Sequence, residues 1–333
     1  MEDAGELLMV LRLSPTGRYV LARIAQAVGV LWAAFTVTFV VLYLLPSDPV
    51  TLQLGAAGIE TDKLTPAQLA AAMAQYGLDR PVWEQYLTAL WGALHGDFGM
   101  SIANGIPVTR LIGQRLGPTV ALSAAAAGLS LVAGTALAYV ASAVRWRPLR
   151  LLLSRLPSVG ASFPQFFVAL LLIQLFSFTL GWLPATGTRG VASLVLPAVT
   201  IALLTSSVLA QVLMRSFDDT LRQPYVMTAR AKGLTRGAVQ LRHAFRNAAL
   251  PAMTILGVLV AQTVTSAIVV ETVFARNGVG KLAQESVLAQ DIPVVLGVVT
   301  LAATVFVVVN LAVDLIYPLL DPRIVHTPKV SRP

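Results

Sequence analysis

Cysteine is absent from the 333 residues, so neither a disulfide framework nor a thiolate metal site is available. Histidine is nearly absent too. His95, His243 and His326 lie far apart, which argues against a histidine metal cluster. Charge is scarce at 12% of residues, where soluble domains carry about a quarter. A water-facing surface cannot be built from so little, and with 56% hydrophobic residues the chain reads as an integral membrane protein. The net charge of +8 invites a nucleic-acid partner, but basic loops in membrane proteins report topology, and no nucleic acid is expected. No Gly-x-x-x-x-Gly-Lys-Ser/Thr phosphate loop occurs, so the chain itself is not expected to hydrolyse ATP. Gly278-Val279-Gly280-Lys281 lacks that spacing. With no His-Glu-x-x-His and no paired carboxylates, no catalytic, cofactor-binding or metal-ligating residue is assigned.

What remains is a series of apolar runs. Residues 1–23 form a mixed segment with Arg12, Arg18 and Arg23, expected on the cytoplasmic side. Residues 24–46 follow without a charge, long enough to cross a ~30 Å hydrocarbon core at ~1.5 Å per residue. Residues 47–117 form an external subdomain that is mainly helical and carries more acids than bases. Thr65-Pro66-Ala67-Gln68 opens one helix, with Thr as cap and Pro in the first turn. Residues 81–94, with Trp83, Tyr86 and Trp91, form a second, and Gly96-Asp97-Phe98-Gly99 is a turn. Five further runs lie near 118–144, 156–180, 192–214, 251–270 and 292–317, so 118–317 is the transmembrane core and 318–333 a cytoplasmic tail. The fold class is therefore all-α: a polytopic bundle of six transmembrane helices. Basic connections alternate with poor ones. Arg145, Arg147, Arg150 and Arg155 follow the second run, and the loop 215–250 after the fourth carries seven bases against Asp218 and Asp219. By the positive-inside rule both termini and that loop are cytoplasmic, in a bacterial inner membrane. Small residues such as Ala124 to Gly128, Gly134-Thr135-Ala136 and Ser206-Ser207 suit close helix packing.

The loop 215–250 organises the rest. Tyr225-Val226-Met227-Thr228-Ala229-Arg230-Ala231 reads as a short helix stopped at Gly233. A second helix is expected over 236–249, with Pro251 in the first turn of the next run. A polar helix-turn-helix between two spans is too compact for a domain and too regular for a tether; it is a docking lug. Thr228-Ala229-Arg230-Ala231-Lys232-Gly233-Leu234, Arg242-His243-Ala244-Phe245-Arg246-Asn247-Ala248 and Leu250-Pro251 resemble the cytoplasmic EAA loop of ABC importer membrane subunits, in its peptide/nickel-importer form. The Glu that names the motif is replaced by Met227, as is common in that branch. Further matches are Gly77-Leu78-Asp79-Arg80-Pro81, Gly96-Asp97-Phe98-Gly99, Glu271-Thr272-Val273-Phe274 with Gly278-Val279-Gly280, and Asn310 to Asp314 with Leu320-Asp321-Pro322-Arg323.

The resemblance implies the B-type permease subunit of a dipeptide, oligopeptide or nickel importer. Thr228, Ala229, Arg230, Ala231, Lys232, Gly233 and Leu234 would form the coupling helix seated on an ATP-hydrolysing subunit. The implied partners are a second homologous permease subunit, one or two ATP-binding subunits that use ATP and Mg, an external substrate-binding protein, peptide substrate and membrane lipid. Glu271 and Asp314, ionisable residues near span ends, are expected to hold the external gate loop and the cytoplasmic helix ends. Arg246 and Pro251 join them as structural or gating candidates. Nickel or glutathione-like solutes stay open as cargo. Two rivals need no ATPase: a secondary transporter or channel, which would place charges or broken helices near span midpoints, and a membrane scaffold.

Overall fold

The computed structural model describes residues 15–43, 65–75, 79–240 and 245–320. Among these, every regular element is helical, apart from a lone antiparallel bridge between Met100 and Pro107. α1 (Pro15–Tyr43) precedes two short helices, α2 (Pro66–Gln75) and α3 (Val82–Leu94). α2 begins in a reciprocal cap: Gln68 N–H donates to Thr65 Oγ1 at 3.4 Å, and Thr65 N–H donates to Gln68 Oε1 at 2.9 Å. α3 starts after Pro81, and the turn that follows places Gly96 and Gly99 at φ of 76° and 75°.

The bundle is built from α4 (Val108–Ala143), α5 (Arg147–Ser162), α6 (Gln165–Leu172), α7 (Ala192–Leu221), α10 (Phe245–Val273) and α12 (Ile292–Leu320). Short helices α8 (Pro224–Ala231) and α9 (Arg236–Val239) lie between α7 and α10, and α11 (Val279–Leu288) between α10 and α12. α1, α4, α7 and α12 are each long and apolar enough to cross a membrane. α10 contributes the apolar stretch Gly257–Val273, and α5 with α6 forms a bent pair, an arrangement compatible with six crossings.

Three expectations need correction. The second run does not begin at Pro118: its helix starts at Val108, and Pro118 lies inside it. Helix interiors in membranes tolerate proline because neighbours re-satisfy the freed carbonyl. The third run is not one straight helix over 156–180. It breaks at Phe163-Pro164 and turns by 103°, with Phe163 extended at φ −90° and ψ 135° as the residue before proline prefers. Beyond α6 the chain continues as a π-helical segment, Ile173–Thr179. The second lug helix does not run over 236–249 either. α9 closes at Val239, and Phe245 already belongs to α10, so Pro251 sits inside α10 rather than in its first turn.

α4 and α7 form the central pair, with α10 laid against both and α1 outermost on α12. Two glycines permit this. A Cβ on Gly134 of α4 would stand 2.9 Å from the Ser206 carbonyl oxygen of α7, and one on Gly160 of α5 would meet the Ser207 hydroxyl. Of the small residues seen in the sequence, Gly134, Ser206 and Ser207 are thus points of close helix approach. Leu122, Ala126, Leu196, Ile201, Ala267 and Val270 fill one end of the core, and Ala138, Leu209, Leu213, Phe217, Ala248 and Leu259 the other.

Candidate functional site

Two constructions stand out, one at each end of the bundle. The first is the lug α8–α9. α8 buries Val226 and Ala229 against Val239 of α9, with Leu221 and Leu234 closing the small core. Gly233 ends α8 at φ +82°, and the Leu234 N–H donates to the Ala229 carbonyl at 3.4 Å. This is the left-handed closure that glycine favours after a helix. The outward face is Pro224, Met227, Thr228 and Ala231, at the three- and four-residue spacing of one helical face, with Lys232 exposed beside it. Met227 is 72% exposed. An unbranched thioether at the centre of such a face adapts to an apolar groove.

Of the residues assigned to coupling, Thr228, Ala231 and Lys232 lie outside, Gly233 sets the turn, and Ala229 and Leu234 pack inward. Arg230, Arg246, Pro251 and Asp314 lie in helices, but their side chains fall outside the described residues. The lug is mounted rigidly. Gln240, which the sequence did not single out, is buried and donates through Nε2 to the Tyr139 carbonyl at 3.1 Å and to the Ser142 hydroxyl, at the end of α4. Phe217 of α7 meets Phe245 of α10 with ring centroids 6.1 Å apart. Arg150 of α5 pairs with Asp218 of α7 at 3.0 Å, both half-exposed, a contact of about 0–1 kcal/mol.

The second construction ties the opposite helix ends. Glu271, near the end of α10, is fully buried and is not a snorkelling surface group. Its Oε2 accepts the Gly280 N–H at 2.8 Å, beside the Thr119 side chain of α4. The Thr119 hydroxyl accepts the Val279 N–H at 2.8 Å. A Cβ on Gly278 would collide with the Glu271 carboxylate, and one on Gly280 with the Ile268 backbone. Gly278-Val279-Gly280 is therefore a site of close backbone approach.

Arg276, also unassigned from sequence, is buried beside this knot. It donates through Nη1 to the Ser193 carbonyl at 2.7 Å and the Gly187 carbonyl at 3.3 Å, fastening the start of α7. Burial pushes its guanidinium below the ordinary arginine value, and the Glu271 charge partly restores it. Asp291 caps α12: the Val295 N–H donates to its carbonyl at 3.0 Å. Its buried carboxylate accepts from the Ser101 hydroxyl, from Ile102 N–H at 3.2 Å and from Ala103 N–H at 3.3 Å. Asp291-Ile292-Pro293 ahead of an apolar run was a readable cap signal, but its partners lie far away in sequence.

Between the two constructions an apolar cavity of about 220 Å³ opens among α4, α10 and α12. Thr119, Ser123 and Thr263 are its hydroxyl-bearing walls, and no charged side chain lines it. It has no group to pair with a charged peptide terminus.

The chain is similar in sequence to known membrane transport proteins. Residues 127–326 match the family described as binding-protein-dependent transport system inner membrane component, and residues 17–123 match the N-terminal model of the same system. A Brucella suis biovar 1 protein named for a peptide transport system permease is 33% identical over 313 residues, covering 92% of this chain and 98% of the relative. The glutathione transport system permease protein GsiC of Escherichia coli (strain K12) is 35% identical over 307 residues, again covering 92% and 98%. A solved amino acid ABC transporter with histidines aligns over 65% of this chain and 94% of its own, at 18% identity and a TM-score of 0.49.

Proposed function

This chain belongs to the binding-protein-dependent transport system inner membrane components, the permease subunits of ABC importers, and on that premise we propose how it couples ATP to transport. α8 is the contact with a cytoplasmic ATP-hydrolysing subunit, made through Met227, Thr228, Ala231 and Lys232. ATP and Mg are used by that partner, and this chain supplies no ATPase site. A second homologous permease completes the pathway, and an external binding protein delivers the solute. The cargo is a di- or oligopeptide or a glutathione-like relative, as the names of the similar permeases suggest. Both termini and the lug lie on the cytoplasmic side, in keeping with the basic loops.

The observation that carries this reading is the lug's mounting. Its outward face is free, while its root is fixed to α4 through Gln240 and to the end of α7 through Leu221, which also packs against the core shared by α4, α7 and α10. A displacement of α8 is thus delivered to three bundle helices together. Helices so packed move as discrete bodies rather than bend, which is what alternating access requires. Substituting Ala231→Pro tests it, because proline at the last residue of α8 removes the N–H that closes its final turn and clashes with the turn before it. Ala231 is exposed, so membrane insertion and bundle assembly should survive while uptake and solute-stimulated ATP hydrolysis are lost. Undiminished uptake would refute the coupling role of α8.

A further inference from the structure

α3 carries two apolar faces. One packs inward: Tyr86, Ala89, Leu90 and Ala93 meet Phe35 and Phe39 of α1 and Leu296 of α12. The other is Trp83, Leu87, Trp91 and Leu94, on one side of the helix and 64%, 52%, 67% and 73% exposed. Apart from Tyr86 and Thr88, the polar groups of α3 gather at its two ends. Arg80 pairs with Glu84 at 3.6 Å, Gln85 donates to the Arg80 carbonyl at 2.8 Å, and the His95 ring meets the Trp91 carbonyl at 2.8 Å. Four large exposed apolar side chains in one row are unsuited to water.

The depth of α3 says what covers them. The Tyr86 hydroxyl and Thr36 Oγ1 share a hydrogen bond of 2.8 Å, and the Tyr86 ring lies 5.3 Å from that of Phe39 and 6.0 Å from that of Phe35. The apolar part of α1 ends at Leu42, so Thr36 lies about 9 Å inside that end at 1.5 Å per residue. Leu296 gives the same answer from another helix, about 6 Å in from the start of α12 at Ile292. Val37, Val40 and Val41 of α1, at this same level, are exposed as a lipid-facing helix requires. The Trp83 to Leu94 row continues that apolar surface. Tryptophan with apolar neighbours is also the composition that sits at the edge of the hydrocarbon.

We propose that α3 is embedded in the membrane leaflet around the C-terminal end of α1, with Trp83, Leu87, Trp91 and Leu94 against lipid acyl chains. The segment between the first two spans is then not wholly an aqueous docking subdomain: α3 anchors it in the bilayer. The chain has no cysteine, so Leu87→Cys offers a single site for a nitroxide label. The labelled full chain is placed in phosphatidylcholine nanodiscs, alone and with the subunits that copurify with it. In both, dissolved oxygen should relax the label several-fold more effectively than a water-soluble nickel chelate. Access by the chelate would put α3 in water, and shielding from both reagents in the assembled complex would put a protein there; either overturns the proposal. If that variant does not fold, a chain retaining Trp91 as its sole tryptophan gives the same decision. Its emission should be quenched by phosphatidylcholine brominated near the headgroup and not by aqueous iodide, and the reverse would overturn the proposal.

Discussion

At the scale of single residues, Gly278 lies directly against the buried Glu271 carboxylate, so a methyl group there has to displace it. Gly278→Ala should therefore lower the thermal stability of the detergent-purified chain, by about 1–3 kcal/mol if it behaves as an overpacked core site. A double-mutant cycle separates this clash from a generic effect. Once Glu271→Ala has removed the carboxylate, adding Gly278→Ala should cost much less, and the two changes should be clearly non-additive. Additive losses would show that the carboxylate is not what excludes the methyl. The same site shows what sequence cannot supply. That Glu271 closes a span was legible; that it is buried under Gly280, Thr119 and Arg276 depends on a loop folding back across three helices. Arg276, Gln240 and Asp291 went unrecognised for the same reason. Each is an ordinary polar residue whose partners, Ser193, Tyr139 and Ser101, are distant along the chain.

At the scale of elements, helix ends were the readable part and helix continuity the unreadable one. The Thr65 cap and the Gly233 stop follow from local chemistry and are present as the sequence implies. The break at Phe163-Pro164 was also written locally, in the proline, but the surrounding apolar run concealed it. Conversely, α4 and α10 run past the limits suggested by their apolar composition, because helical pairing continues wherever the chain has no reason to stop. Two helix ends make opposite predictions. Gly233 holds φ +82° after α8, while Ala275 holds φ +47° after α10, where the Arg276 N–H reaches the Glu271 carbonyl at 2.8 Å. A side chain in this conformation costs about 1–2 kcal/mol. Gly233→Ala should thus destabilise the lug, seen as earlier proteolysis of the 224–240 region, whereas Ala275→Gly should be neutral or stabilising in thermal unfolding. Equal effects of the two substitutions would mean that backbone strain does not govern these ends.

For the whole molecule, the two constructions divide the labour of a transporter subunit. One end is tied by buried carboxylates and an arginine into a knot that joins α4, α7, α10 and α12. The other presents a small rigid helix on a mount shared by α4, α7 and α10. A push on that helix reaches α4 directly through Gln240. The central claim is that the Met227 face of α8 is the contact through which ATP-driven closure enters the bundle. A single cysteine tests it directly, since the chain has no other. Met227→Cys, treated with a short thiol-to-amine cross-linker in native membranes, should join to an ATP-hydrolysing subunit, with a yield that changes between nucleotide-free and ATP-bound states. Val226→Cys, one position along and turned into the lug core, should not. An adduct to no ATPase subunit from Met227→Cys, or equal adducts from both positions, would contradict the account.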